Sequence, residues 1–204
     1  MKNKPLLLFS LTAFILFVIF YMVAACLYPG GNQVNHAANG FSIVNNYWCD
    51  LLGNNAVNGK TNTAKPYAIA GWFIVCIGMI TFWFAIPAFL LLEKMYKKVI
   101  QLTGILTMLI AMLLFTHLHD FVINAAGICG VIALMGLFAG LYKNKWLLLF
   151  YSGIGCLLLM LVNYYIVITG NGLVALPLIQ KITFLLIMAW LYTLCRKALQ
   201  ANKV

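Results

Sequence analysis

Long apolar runs alternate with short polar connections along this chain, and the length of the runs decides what they are. Six segments, spanning 5–27, 67–92, 99–116, 121–141, 146–169 and 173–195, are predominantly apolar. Each is close to the ~20 residues that an α-helix needs to cross the hydrocarbon core of a bilayer. None shows the strict alternation of a barrel strand. The pattern therefore predicts an all-α, polytopic membrane helical bundle with six transmembrane helices. His117-Leu118-His119-Asp120 separates the third and fourth segments, and Gly170-Asn171-Gly172 the fifth and sixth, so both connections read as tight turns. The first and second segments are joined by a long connection, residues 28–66. No internal repeat or low-complexity tract interrupts the pattern, and residues 1–204 read as a single integral membrane domain.

Composition agrees with the pattern: 65% of residues are hydrophobic and 8% charged, against about a quarter charged in a soluble domain. The net charge of +10 would suit nucleic acid if the cations formed one face or run, but they do not. Lys2, Lys4, Lys94, Lys97, Lys98, Lys143, Lys145, Arg196, Lys197 and Lys203 flank apolar segments on one side, and only Lys60 and Lys65 lie on the other. Positive flanks mark the cytoplasmic side. Both termini are thus expected inside and the 28–66 connection outside, in a multi-pass protein of a bacterial inner (plasma) membrane. Nucleic acid is not an expected partner; membrane lipids are, and a second copy of the chain is a candidate one.

The start of the chain reads as a retained helix. Its apolar run from Pro5 to Leu27 is 23 residues, longer than the ~7–15 of a signal core, although Val23-Ala24-Ala25-Cys26 has the look of a lipoprotein cleavage site. Of the six cysteines, most sit in apolar runs and read as small hydrophobes. Cys26 and Cys49 border the long connection, where an oxidising compartment can join them.

Charge inside the apolar segments changes the picture most. Lys181 lies eight residues into the last segment, about 12 Å below its boundary at ~1.5 Å per residue. An ammonium at that depth needs a partner facing the bundle interior, or must stretch along lipid to the headgroups. The acids on its side are Asp50 and Asp120, so the stretch FSIVNNYWCDLLG (41–53) is expected to fold back towards the helices with Asp50 or Asp120 as counter-ion. Asp120 also suits the positive end of the fourth helix, and Asn124 shares its face one turn later. His117 and His119 are the candidate zinc ligands, with His36, Asp50 or Asp120 to complete a site, but a polar interfacial turn is the simpler account and no metal or cofactor is assigned. The connection carries nine asparagines and reads as polar turns rather than a core, with Tyr47 and Trp48 at the membrane interface and Asp50 as a candidate cap of a short helix.

Several separated signals then align: Tyr28-Pro29-Gly30-Gly31, Asn46-Tyr47-Trp48-Cys49-Asp50-Leu51-Leu52-Gly53, His119-Asp120, and Gly172-Leu173 leading to Gln180-Lys181. Together they resemble the uncharacterised six-helix membrane family known as domain of unknown function nine-nine-eight, itself distantly similar to DRAM-like and FGF-receptor-activating-like membrane proteins. The resemblance implies the six-helix fold over essentially the whole chain, and those distant relatives imply a connection with lipid or GPI-anchor remodelling or autophagy. Departures are visible: Trp48-Cys49 stands where the family has Ile-Ser, Leu52 is extra, Gln180-Lys181 replaces Glu-Arg, and Asn124 replaces a second histidine.

The functional expectation is an outward-facing polar pocket built from Tyr47, Asp50, His119, Asp120, Asn124 and Lys181 that binds a lipid headgroup or small amphiphile. In a lipid-modifying enzyme His119 and the aspartates would do the acid–base work. The alternatives are an ion-coupled or small-solute transporter and a non-catalytic scaffold subunit that associates through Gly136-x-x-x-Gly140.

Overall fold

A computed structural model describes residues 3–114, 116 and 119–201, without the side chains of His119 and Asp120. Six α-helices account for most of it: α1 Lys4–Leu27, α2 Lys65–Ala85, α3 Lys94–Ala111, α4 His119–Lys143, α5 Leu147–Thr169 and α6 Leu176–Ala201. Three of them place proline at their second residue, Pro5, Pro66 and Pro177. A first-turn N–H has no acceptor within its own helix, so a residue that lacks one is tolerated there, and its fixed φ suits the helix.

Helix boundaries depart from the apolar runs where backbone chemistry overrides hydropathy. The second run continues to Leu92, but α2 stops at Ala85 and closes in a 3₁₀ turn, Ile86–Phe89, at Pro87, whose ring and missing N–H end the α-helical ladder. The third helix begins at Lys94 instead of near 99 and ends at Ala111 instead of 116, because lysines are good helix formers despite their polarity. With three lysines drawn into its first turns, α3 is not among the helices that are long and apolar enough to cross a membrane. Those are five among the described residues: Lys4–Leu27, Lys65–Phe89, Phe121–Lys143, Leu147–Thr169 and Leu176–Ala201.

The chain forms two compact units, one of Met1–Leu16, Trp72–Gly153 and Trp190–Val204, the other of Phe17–Gly71 and Ile154–Ala189. The first is packed through small residues. A Cβ on Gly78 would lie 2.4 Å from that of Ala13, bringing α2 against α1, where Ser10 and Thr81 share a 2.9 Å hydroxyl hydrogen bond. A Cβ on Gly104 would enter the Trp83 indole at 2.3 Å, so α3 rests on α2. A Cβ on Gly136 would lie 2.4 Å from the Ile100 side chain of α3, and one on Gly140 2.6 Å from that of Leu90. The Gly136-x-x-x-Gly140 face thus packs against Ile100 and Leu90 of the same chain. In a bilayer, where lipid is as apolar as leucine, such close approach is a main source of helix association.

Gly136→Leu is expected to lower stability by about 1–3 kcal/mol through overpacking against Ile100. Gly127→Ala, with nothing within 4 Å of its Cβ position, should be neutral or gain up to about 1 kcal/mol of helix propensity. Thermal unfolding of the two variants in detergent checks this, and equal midpoints would contradict the packing.

Candidate functional site

The second unit holds the long connection, and three of its nine asparagines, Asn32, Asn46 and Asn62, are buried within it. Gly30 and Gly31 leave α1 with φ of +131° and +83°, and a Cβ on Gly31 would stand 2.4 Å from the Asn58 nitrogen, so only glycine lets these backbone segments meet. Asn32 Oδ1 accepts the N–H groups of Val34 and Asn35 at 3.0 and 2.9 Å. Asn62 Nδ2 donates to the carbonyls of Asp50, Leu51 and Gly53 at 3.1, 3.1 and 2.9 Å, gathering the end of the 3₁₀ turn Trp48–Leu52. Tyr28 Oη accepts the Val57 N–H at 2.9 Å. Amide side chains here replace the ladders of regular structure, so the segment needs no sheet to satisfy its backbone. It also has its own core: Leu51, Asn46 and Ala64 are fully buried, with Asn32, Ala56 and Asn62 nearly so.

Asn46 is the hub. Its Oδ1 accepts from Ser42 N at 2.8 Å, while its Nδ2 donates to Gly31 O and to Asp50 Oδ2, both at 2.8 Å. Asp50 Oδ2 also accepts the Tyr47 N–H at 2.9 Å, reaching back as a cap for the 3₁₀ turn. Lys181 closes the arrangement from α6, its Nζ donating to Asn46 O and, at 3.1 Å, to Pro177 O. Lys181 is 4% exposed, so it does not stretch outward along lipid. Among the described residues no carboxylate lies within ion-pair distance of it: Asp50 acts on it through space while its own hydrogen bonds go to Asn46 and Tyr47, and the side chain of Asp120, the other acid the sequence offered, lies outside the described residues. The carboxylate is already held by an amide and a backbone N–H, and carbonyls take its place as partners of the ammonium. Helix α6 starting at Leu176 also puts Lys181 only about 8 Å along the helix at ~1.5 Å per residue.

Aromatic rings fasten the connection to the helices. Trp48 meets Tyr21 edge-on at 5.2 Å and stacks with Phe41 at 6.1 Å; Tyr28 meets Phe41 edge-on at 5.7 Å; Phe17 joins Tyr21 and Phe184 at 4.2 and 5.1 Å. The Lys181 ammonium lies 5.4 and 5.5 Å from the Phe41 and Trp48 ring centres, within cation–π range. Beside it opens a cavity of about 530 Å³, bounded by α1, α6 and the segment Gly40–Trp48. Phe17, Tyr21 and Lys181 form its buried floor; Met22, Ile43, Ile182 and Leu185 form an exposed apolar rim. Among the described residues Lys181 is the one charged side chain on its wall. Trp48 also lines it, and its indole N–H is buried with no acceptor.

Of the residues nominated from sequence, Lys181 lines this cavity. Tyr47 and Asp50 sit in the braced turn behind it, half-buried. Burial, with Asp50 adding to it, holds the Tyr47 hydroxyl above its ordinary value, and burial does the same at Tyr28; both stay protonated at neutral pH. Asn124 is on an exposed face of α4, in the first unit, with an interaction of its own. His117 and the side chains of His119 and Asp120 lie outside the described residues. Among those described, no three His, Cys, Asp or Glu side chains gather to hold a metal. Cys26 and Cys49 are exposed free thiols. Sequence reasoning missed Asn46, Asn62, Phe17, Tyr21 and Phe41. Asn46 had a local signal, since an Asn four residues before a lone Asp in an apolar setting is a natural donor to it. The rings of α1 had none, because in a wholly apolar run every face looks alike.

No family model, curated protein or solved structure matches this chain.

Asn46→Ala removes three side-chain hydrogen bonds at once, to Ser42, Gly31 and Asp50, and should cost about 1–3 kcal/mol by leaving buried partners unsatisfied. Asn46→Asp should cost a comparable amount by setting a second carboxylate beside Asp50. Limited proteolysis within 28–66 should accelerate in both; unchanged cleavage rates would show that this hub does not hold the segment.

Proposed function

We propose that this protein is a multi-pass membrane protein that receives an amphiphile from the surrounding bilayer in the cleft between α1, α6 and the folded connection. The observation that carries the reading is the cavity itself: about 530 Å³, apolar throughout its rim, with one buried cation on its floor. Small-molecule sites of ~300–1,000 Å³ commonly combine apolar walls with a few placed polar groups that fix orientation. An apolar rim in a bilayer meets acyl chains rather than water, so a ligand can enter sideways with its tail in a medium like its own. This differs from a polar pocket, because Asp50 and Tyr47 serve the scaffold and leave Lys181 as the polar contact.

The same reading sets the orientation. Positive flanks place both termini in the cytoplasm, which requires α3 to complete a sixth crossing with its lysines at the inner boundary, and puts the connection and the cleft on the outer side of a bacterial inner membrane. Membership of the six-helix family that the motifs resemble is part of this proposal. Scaffolding has less support, since Gly136 and Gly140 pack within the chain. For transport, no second charged side chain among the described residues lines the cavity to mark a path onward.

A photoreactive single-chain lipid added to the purified full-length protein should label α1 or α6 near the cavity, and Ile182→Trp, which fills the cleft, should reduce labelling several-fold. Equal labelling of wild type and variant would count against the cleft. Independently, reporter fusions at both termini should read cytoplasmic, and a tag inserted at Gly59 should be accessible from outside; termini on opposite sides would exclude the sixth crossing.

A further inference from the structure

We propose that the amphiphile is a single-chain carboxylate, whose acid group becomes the direct counter-ion of Lys181 and accepts the Trp48 indole N–H. This rests on the cleft reading above and names the chemistry that fits it. An ammonium has three donor hydrogens; Lys181 directs two at the carbonyls of Asn46 and Pro177. Among the described residues no carboxylate lies within ion-pair distance of it, Asp50 being held by Asn46 and Tyr47. A buried ammonium whose hydrogen bonds all go to neutral carbonyls, with Asp50 acting on it through space and not by contact, keeps a desolvation cost that a direct counter-ion relieves. The second unspent donor, Trp48 Nε1, belongs to a ring on the same cavity wall. An indole nitrogen can donate but not accept, and its covered N–H reaches an acceptor in the cavity once the ring turns; a carboxylate offers two oxygens and one negative charge for the two donors.

Other headgroups fit less well. A quaternary ammonium is the usual occupant of an aromatic cage, but Lys181 already faces the Phe41 and Trp48 rings at 5.4 and 5.5 Å, and a second cation would repel it. A phosphate monoester brings about −1.5 to −2 charge and three acceptor oxygens, more than one ammonium and one indole can satisfy. Behind the two donors the wall is hydrocarbon, from Phe17 and Met22 on α1 to Ile182 and Leu185 on α6. The volume of about 530 Å³ sits in the lower half of the ~300–1,000 Å³ range of ligand sites and suits one chain better than two.

Displacement of an environment-sensitive fatty-acid probe from the full-length protein in neutral detergent tests this, using hexadecanoate, hexadecanol, a lysophosphatidate and a lysophosphatidylcholine of the same chain length. Hexadecanoate should bind about tenfold or more tighter than hexadecanol, the effect of gaining a charge-assisted hydrogen bond. Trp48→Phe, which keeps the ring, should narrow that preference several-fold, and Lys181→Met should abolish it. If Lys181→Met does not fold, the Trp48→Phe comparison still decides the matter. Equal affinity for hexadecanoate and hexadecanol would overturn the carboxylate while leaving the cleft standing. Tighter binding of the lysophosphatidate would move the assignment to phosphate, and tighter binding of the lysophosphatidylcholine would exclude an anionic site. Failure of all four to displace the probe, or of the probe to bind, would overturn the cleft reading with it.

Discussion

A lysine side chain placed one turn into an apolar helix cannot remain without acceptors, and in this protein the Asn46 carbonyl meets that need. The contact joins residues far apart in sequence and draws the long connection onto α6. Everything else in the second unit is arranged around it. Asn46 can present its backbone oxygen only because its own side chain is held, by Ser42, Gly31 and Asp50. Gly31 in turn occupies a left-handed conformation that allows the backbone near Asn58 to come within contact. One buried charge thereby organises a segment that has only isolated bridges in place of strands.

The way the acid is used has a consequence for chemistry. A carboxylate set directly against the ammonium would have neutralised it and left an inert apolar groove. Asp50 instead caps the 3₁₀ turn and anchors Asn46, so the negative charge is spent on holding the backbone. The positive charge remains at the cavity wall, held by carbonyls, on the same wall as an indole whose N–H has no acceptor among the described residues. Connection and cavity thus draw on the same few polar groups, and the division of labour between them leaves the wall electropositive, with hydrogen-bond donors and no carboxylate among the described residues. The rings of Tyr21, Phe41 and Trp48 serve both roles, fastening the connection to α1 and surrounding the ammonium.

The helices, their number and the apolar character of five of them were legible in the sequence, because bilayer-length hydrophobic runs leave the backbone no alternative to internal hydrogen bonding. The need of Lys181 for a partner and the return of the 41–53 stretch towards the helices were legible too, since the cost of burying an ammonium depends on residue type and depth alone. Which group would answer that need was not. Carboxylate and carbonyl both serve an ammonium, and only the folded connection, with Asn46 and Tyr47 already bonded to Asp50, decides between them. Pro87 shortening α2 could have been read from proline chemistry, whereas the inward use of Gly136 depended on Ile100 arriving opposite it from another helix. The sequence alone determined that helices form and that a charge lies buried among them, because both follow from local composition. The cavity and its two unspent donors were decided by tertiary structure alone, because they depend on which side chains satisfy one another first.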